Sequence, residues 1–316
     1  MSDTTLMKAF RILCVLIVFS LSRSFIALAA PEHHNNAAGA NRAADKSIKI
    51  KPHEFTGDDI KFVSNGYNIL YSALVQVLTE NAGVPRDKAV SAVDAFVKYL
   101  AMSGEAAENR PEEMSVQDAE VALWDKNEFQ NVLMKMLVPF DMDNPDKTKN
   151  LLRLSRDLNG LGQDPPEDKI RKTMLRYLSP ETTEASIALI NKGKTKKCGS
   201  LDYFNFHFRT GLNLNFSPEN ESCVSKEDIV NLVETHYGKK LPNLAAFIGG
   251  MEMWINDKNN SKKLIELGFA GLSLQKLIAA SEADEQQKKK IEEHLEQTGI
   301  NKGILLYIIN SATSSK

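Results

Sequence analysis

Residues 198–223 read CGSLDYFNFHFRTGLNLNFSPENESC. Inside this stretch the hydrophobic period is 2, whereas on either side it is close to 3.6. Phe204, Phe206 and Phe208 alternate with Tyr203, Asn205, His207 and Arg209, and Leu212, Leu214 and Phe216 alternate with Asn213 and Asn215. Such alternation predicts two half-buried strands joined as a hairpin at about 202–216. A two-residue loop at Thr210-Gly211 would set Phe208 against Asn213 and mix apolar with amide groups on each face. A three-residue loop, Arg209-Thr210-Gly211, sets Phe208 opposite Leu212, Phe206 opposite Leu214 and Phe204 opposite Phe216. Gly211 then takes the left-handed position that this loop class requires. One register satisfies turn and core together.

The other face of the hairpin carries Tyr203, Asn205, His207, Asn213 and Asn215. Amides and a phenol can bond sugar hydroxyls or peptide groups, so these five are the candidate binding residues; an ordinary solvated face is the alternative. An isolated hairpin is marginal in water and needs a body to lie on. Cys198 and Cys223 flank it, and a disulfide between them closes a loop of about 26 residues, worth roughly 3–4 kcal/mol on the chain-entropy view.

Further out, the 316-residue chain is 42% apolar and 25% charged with a net charge of −2, ordinary values for a globular protein. That balance gives no support for nucleic-acid binding. Lys194, Lys196 and Lys197 read as a solvated loop.

Near the start, Lys8 and Arg11 precede an apolar run over 12–21, and Ala27-Leu28-Ala29 has the small residues that signal peptidases accept. This predicts a secretory signal over 1–29. An uncleaved anchor over about 12–30 is the alternative, shortened by Arg23. Arg11, three residues before Cys14, does not fit a lipoprotein acylation box. Cleavage removes Cys14 and leaves an even pair of cysteines, the arrangement expected to oxidise outside the cytoplasm. Residues 30–56, rich in Ala and Asn with Pro31 and Pro52, read as a flexible leader; His33 and His34 lie near the new terminus, where copper or nickel capture depends on the cleavage site. Asn220-Glu221-Ser222 and Asn259-Asn260-Ser261 match the glycosylation sequon of eukaryotic secretion.

The rest has helical spacing. Ile60, Val63, Tyr67, Leu70, Leu74 and Leu78 mark a helix over 58–81 stopped by Gly83 and Pro85; Ala89, Val93, Phe96 and Leu100 mark the next. The Glu-rich segment 103–115 reads as a linker. Helix starts are expected at Asp125, with Glu128 three later, and at Asn144-Pro145, Asp164-Pro165 and Ser179-Pro180. Gly160 and Gly193 stand at expected left-handed stops. Asp141, Asp143 and Asp146 fail the calcium-loop pattern at Pro145, Asp146 and Leu152 and read as an acidic helix start. Ser225 with Asp228 opens a helix ending near Gly238, and Asn243 precedes another, in which Gly249-Gly250 implies close packing or a kink. Leu264, Gly268, Phe269, Leu277 and Ile278 recur 31 residues later as Leu295, Gly299, Ile300, Ile308 and Ile309, either a helical repeat or two similar helix–turn–helix units with glycine stops. Residues 284–296 are densely charged, hence a solvent-facing helix.

No phosphate-binding glycine loop, zinc-protease His pair or nucleophile-elbow serine is present. The expected fold is mainly α, a multi-helix bundle or irregular helical array with one inserted β-hairpin. It divides into a signal (1–29), leader (30–56), N-terminal helical part (57–192), clasped hairpin (193–224) and C-terminal helical part (225–316). The expected function is an exported, secreted or periplasmic binding protein without catalytic activity or cofactor. Its partner would be a protein or envelope component, with no nucleic acid and no stable membrane span after cleavage. The alternatives are a hydrolase of an envelope polymer or lipid, using Glu252 or His207 as acid–base groups, and a carrier of an apolar ligand between helices.

Overall fold

The computed structural model describes residues 56–111, 113–161, 165–195, 226–283 and 285–298, and among them every regular element is helical. The expected hairpin, with Cys198 and Cys223, lies outside the described residues, as do the signal and nearly all of the leader.

Helix α1, Gly57–Glu80, starts where the Asp59 carboxylate accepts hydrogen bonds from the Thr56 backbone N–H and hydroxyl, both at 2.9 Å. It stops at Gly83, whose φ of +66° suits a residue without Cβ. Helix α2, Arg86–Glu108, runs through half of the expected linker. Glu105-Ala106-Ala107-Glu108 are strong helix formers, and Ser103 is buried, so only 109–115 connects. Helix α3, Val116–Leu123, then begins at Ser115, whose Oγ accepts from the Asp118 N–H at 3.1 Å.

Helix α4, Asn127–Leu137, takes Lys126 rather than Asp125 as its cap: the Lys126 carbonyl accepts the first bonds, from the Phe129 and Gln130 N–H groups, while Asp125 belongs to the turn closing α3. A 3-10 turn, Val138–Phe140, follows and ends on Asp141 at φ 56°. Helix α5, Pro145–Asn159, is capped by Asn144 as expected, with Oδ1 3.0 Å from the Lys147 N. At its end Gly160 stays right-handed, φ −67°, and is not the left-handed stop the sequence suggests. Helix α6, Glu167–Met174, begins two residues later than Asp164-Pro165 implies, since Pro166 holds Pro165 in extended backbone. Helix α7, Pro180–Thr195, starts at Ser179, which accepts from the Thr182 N–H at 3.1 Å. It passes through Gly193 without stopping.

Helix α8, Lys226–Tyr237, ends at left-handed Gly238, φ +69°. Helix α9, Pro242–Asn256, leads through the 3-10 turn Lys258–Asn260 into helix α10, Ser261–Ala283. Helix α10 is unbroken at Gly268, so the first of the two echoing units has no glycine stop; the second lies mostly outside the described residues. One residue later helix α11, Glu285–Thr298, packs against both α10 and α1, burying Ile291 beneath its charged surface.

The longest association is α1 with α10; α2 packs on α4, and α3 on α5. A large core gathers Leu78, Phe96, Tyr99, Phe129, Leu244 and Met251 with many neighbours, and a smaller one gathers Leu154, Leu158, Ile170, Met174, Leu178, Ile187 and Ile190. Helix α5 serves both, giving Leu152 to the first and Leu154 and Leu158 to the second. Helix α9 meets the end of α1 at Gly250, where an added Cβ would fall 2.6 Å from Asn81 Cβ and 2.7 Å from Val77 Cγ1. Of the two glycines in α9, Gly250 provides close packing without breaking the helix.

Candidate functional site

Tyr203, Asn205, His207, Asn213 and Asn215 lie outside the described residues. Glu252 lies on α9, half-buried, with its carboxylate 3.9 Å from Lys226 Nζ. A groove of about 170 Å³ lined by Asp118, Trp124, Asp125, Lys149 and Arg153 does not include Glu252. The Asn259 sequon residue is exposed on the 3-10 turn, while neighbouring Asn260 is buried and donates to the Trp254 carbonyl at 2.8 Å.

Two features stand out that the sequence pattern did not single out. The first is an apolar ledge on the α1–α10 pair. Phe62, 37% exposed, stacks on Phe269, 49% exposed, with ring centroids 5.5 Å apart, and Ile265 is 55% exposed one turn before Phe269. Residues four apart share a helix face, so Ile265 and Phe269 extend one strip. Asp59 and Lys276, paired at 3.2 Å, lie on the same two helices, and Lys276 falls two turns beyond Phe269 on its face. Burial alone would raise the Asp59 carboxyl, but the Thr56 hydrogen bonds and Lys276 outweigh it and hold it below its usual range. Three partly exposed apolar side chains and an ion pair thus lie together on the α1–α10 pair.

The second feature is a polar corner where the end of α8 meets the start of α5. Lys147 Nζ donates to the His236 carbonyl and lies 5.2 Å from the Tyr237 ring centroid. The His236 and Tyr237 rings meet edge to face at 5.1 Å, and His236 Nε2 is buried without a hydrogen-bond partner. Burial, helped by the Lys147 charge, pushes the imidazole down from 6.5 to about 4, so it is neutral at pH 7. Nearby, Lys239 pairs with Asp141 at 2.5 Å and Asn243 donates to the Pro139 carbonyl at 3.0 Å. These bonds join segments about a hundred residues apart and act as a clamp between the two parts of the chain.

Sequence spacing gave both features an ordinary appearance. Phe62 lies off the apolar stripe of α1, one residue before Val63, and that displacement is the signal from which the ledge could have been found. Nothing local marks His236, because its partner Lys147 is 89 residues away. Comparison with protein-family models, with characterised proteins and with solved structures finds no match.

Proposed function

We propose that the protein is an exported, non-catalytic interaction protein whose contact face is the ledge between α1 and α10. The observation that carries this reading is the exposed Phe62–Phe269 stack with Ile265 beside it. Burying a large apolar side chain stabilises by roughly 1.5–3 kcal/mol, so three left accessible on neighbouring positions favour association with another surface. Aromatic anchors of this kind are where binding energy concentrates. The secretory signal over 1–29 and the hairpin over 202–216, stapled by Cys198 and Cys223, belong to the same proposal. Tyr203, Asn205, His207, Asn213 and Asn215 would form a second, polar contact surface facing a protein or envelope component.

The test immobilises the mature, oxidised chain and captures binding partners from its native compartment, with mass spectrometry to identify them. Joint Phe62→Ser and Phe269→Ser is expected to lower capture of a given partner about tenfold or more while the melting temperature changes little. Joint His207→Ala, Asn213→Ala and Asn215→Ala reports on the hairpin in the same way. Equal capture by all three proteins would refute the reading.

A further inference from the structure

We propose that the ledge is covered by the chain's own apolar run Ile304-Leu305-Leu306-Tyr307-Ile308-Ile309, which an outside partner must displace. The proposal rests on the ledge being a contact face and names its resident occupant.

Reach is the first support. Helix α11 folds back against α10 and α1, and its 14 residues span about 21 Å. Retracing that length along α10 from Ala283 arrives at Phe269, so the chain leaves α11 level with the stacked rings. Residues 299–303, with glycines at both ends, extend up to about 17 Å, more than the ~10–12 Å diameter of a helix.

Chemistry is the second. Six consecutive apolar residues stand between Asn301-Lys302-Gly303 and Asn310-Ser311. The run is far shorter than the ~20 residues a bilayer-spanning helix requires, and its apolar area calls for a protein surface.

Position favours the run over the other aromatic segment, the phenylalanines of 204–216, whose link to α8 would have to extend almost fully to reach the rings. The chain leaves that segment into α8 at Lys226, beside Gly249 of α9, and the adjoining Gly250 touches Val77 and Asn81. Those contacts are at the far end of α1, 15 residues or about 22 Å from Phe62.

The full chain carrying Phe269→p-benzoylphenylalanine tests this by photocrosslinking and mass spectrometry. The expected product is an intrachain link to residues 304–309, falling about tenfold when Leu305→Asp and Ile308→Asp are added, because burial of two aliphatic side chains is lost. Links between two copies, links to residues 198–223, or no intrachain link above background would each overturn it. The two readings fail separately. Partner capture that needs Phe62 and Phe269, without the link to 304–309, removes the self-cover and leaves the contact face. The link without any effect of Phe62 and Phe269 on capture removes the contact face.

Discussion

At the scale of single residues, His236 and Gly250 are the most constrained positions described. The imidazole is pushed down from 6.5 to about 4 in the folded protein, so the unfolded chain binds the extra proton between those values. Stability from this group is complete above pH 6.5 and is lost as pH falls toward 4, by up to about 3 kcal/mol. Urea unfolding between pH 7 and about 5, above the range where carboxylates take over, is expected to show this slope. His236→Gln is expected to flatten it; parallel curves for the two proteins would show that the ring is solvated. At Gly250 the crowding by Asn81 and Val77 predicts that Gly250→Ala costs about 1–3 kcal/mol. Its neighbour Gly249 meets only Lys226, at 3.7 Å and beyond, and Gly249→Ala is expected to stabilise by up to about 1 kcal/mol through helix propensity. Thermal melts of the two variants moving in opposite directions would verify the crossing of α9 on α1.

Among elements, helix ends decide most of what the sequence reveals and what it hides. Caps that rest on one side chain and its own backbone were legible: Asn144 before Pro145, Ser179 before Pro180, and the left-handed glycines 83 and 238. Those that depend on neighbouring turns were not. Asp125 is tied into the end of α3, Pro166 postpones α6, and Gly193 is carried along by a helix that has no reason to stop. The ledge was half legible: Phe62 lies off the apolar stripe of α1, but its stacking on Phe269 is set by which helices pack together and not by spacing along either one. Helix α1 offers a direct check of cap strength. Thr56→Ala removes the hydroxyl bond to Asp59 and is expected to cost about 1 kcal/mol. Asp59→Ala removes both Thr56 bonds and the pair with half-exposed Lys276, and is expected to cost about 2–3 kcal/mol, since bonds to charged groups are stronger. Chemical denaturation of both variants measures the difference.

For the molecule as a whole, the arrangement of its two apolar clusters matters most. Helix α5 contributes to each, so the smaller cluster is not free to melt alone. Leu154 and Met174, both fully buried there, are expected to cost about 2–5 kcal/mol when replaced by alanine. Both tryptophans, Trp124 and Trp254, belong to the other cluster. Their fluorescence is nevertheless expected to follow the shifted transition of Leu154→Ala together with the circular dichroism. A tryptophan signal that keeps the original midpoint would mean that the two clusters unfold independently.

The embrace of α1 by α10 has a consequence for biosynthesis. Asp59 and Lys276 are 217 positions apart, so as the ribosome delivers the chain, α1 waits for some two hundred further residues before its main partner emerges. Long-range closure of this sort is slow, and the α1–α10 pair cannot close until residues 261–283 have been made. Fragments ending before residue 261 leave bare the part of α1 that packs on α10, and their expected fate is aggregation or capture by a chaperone.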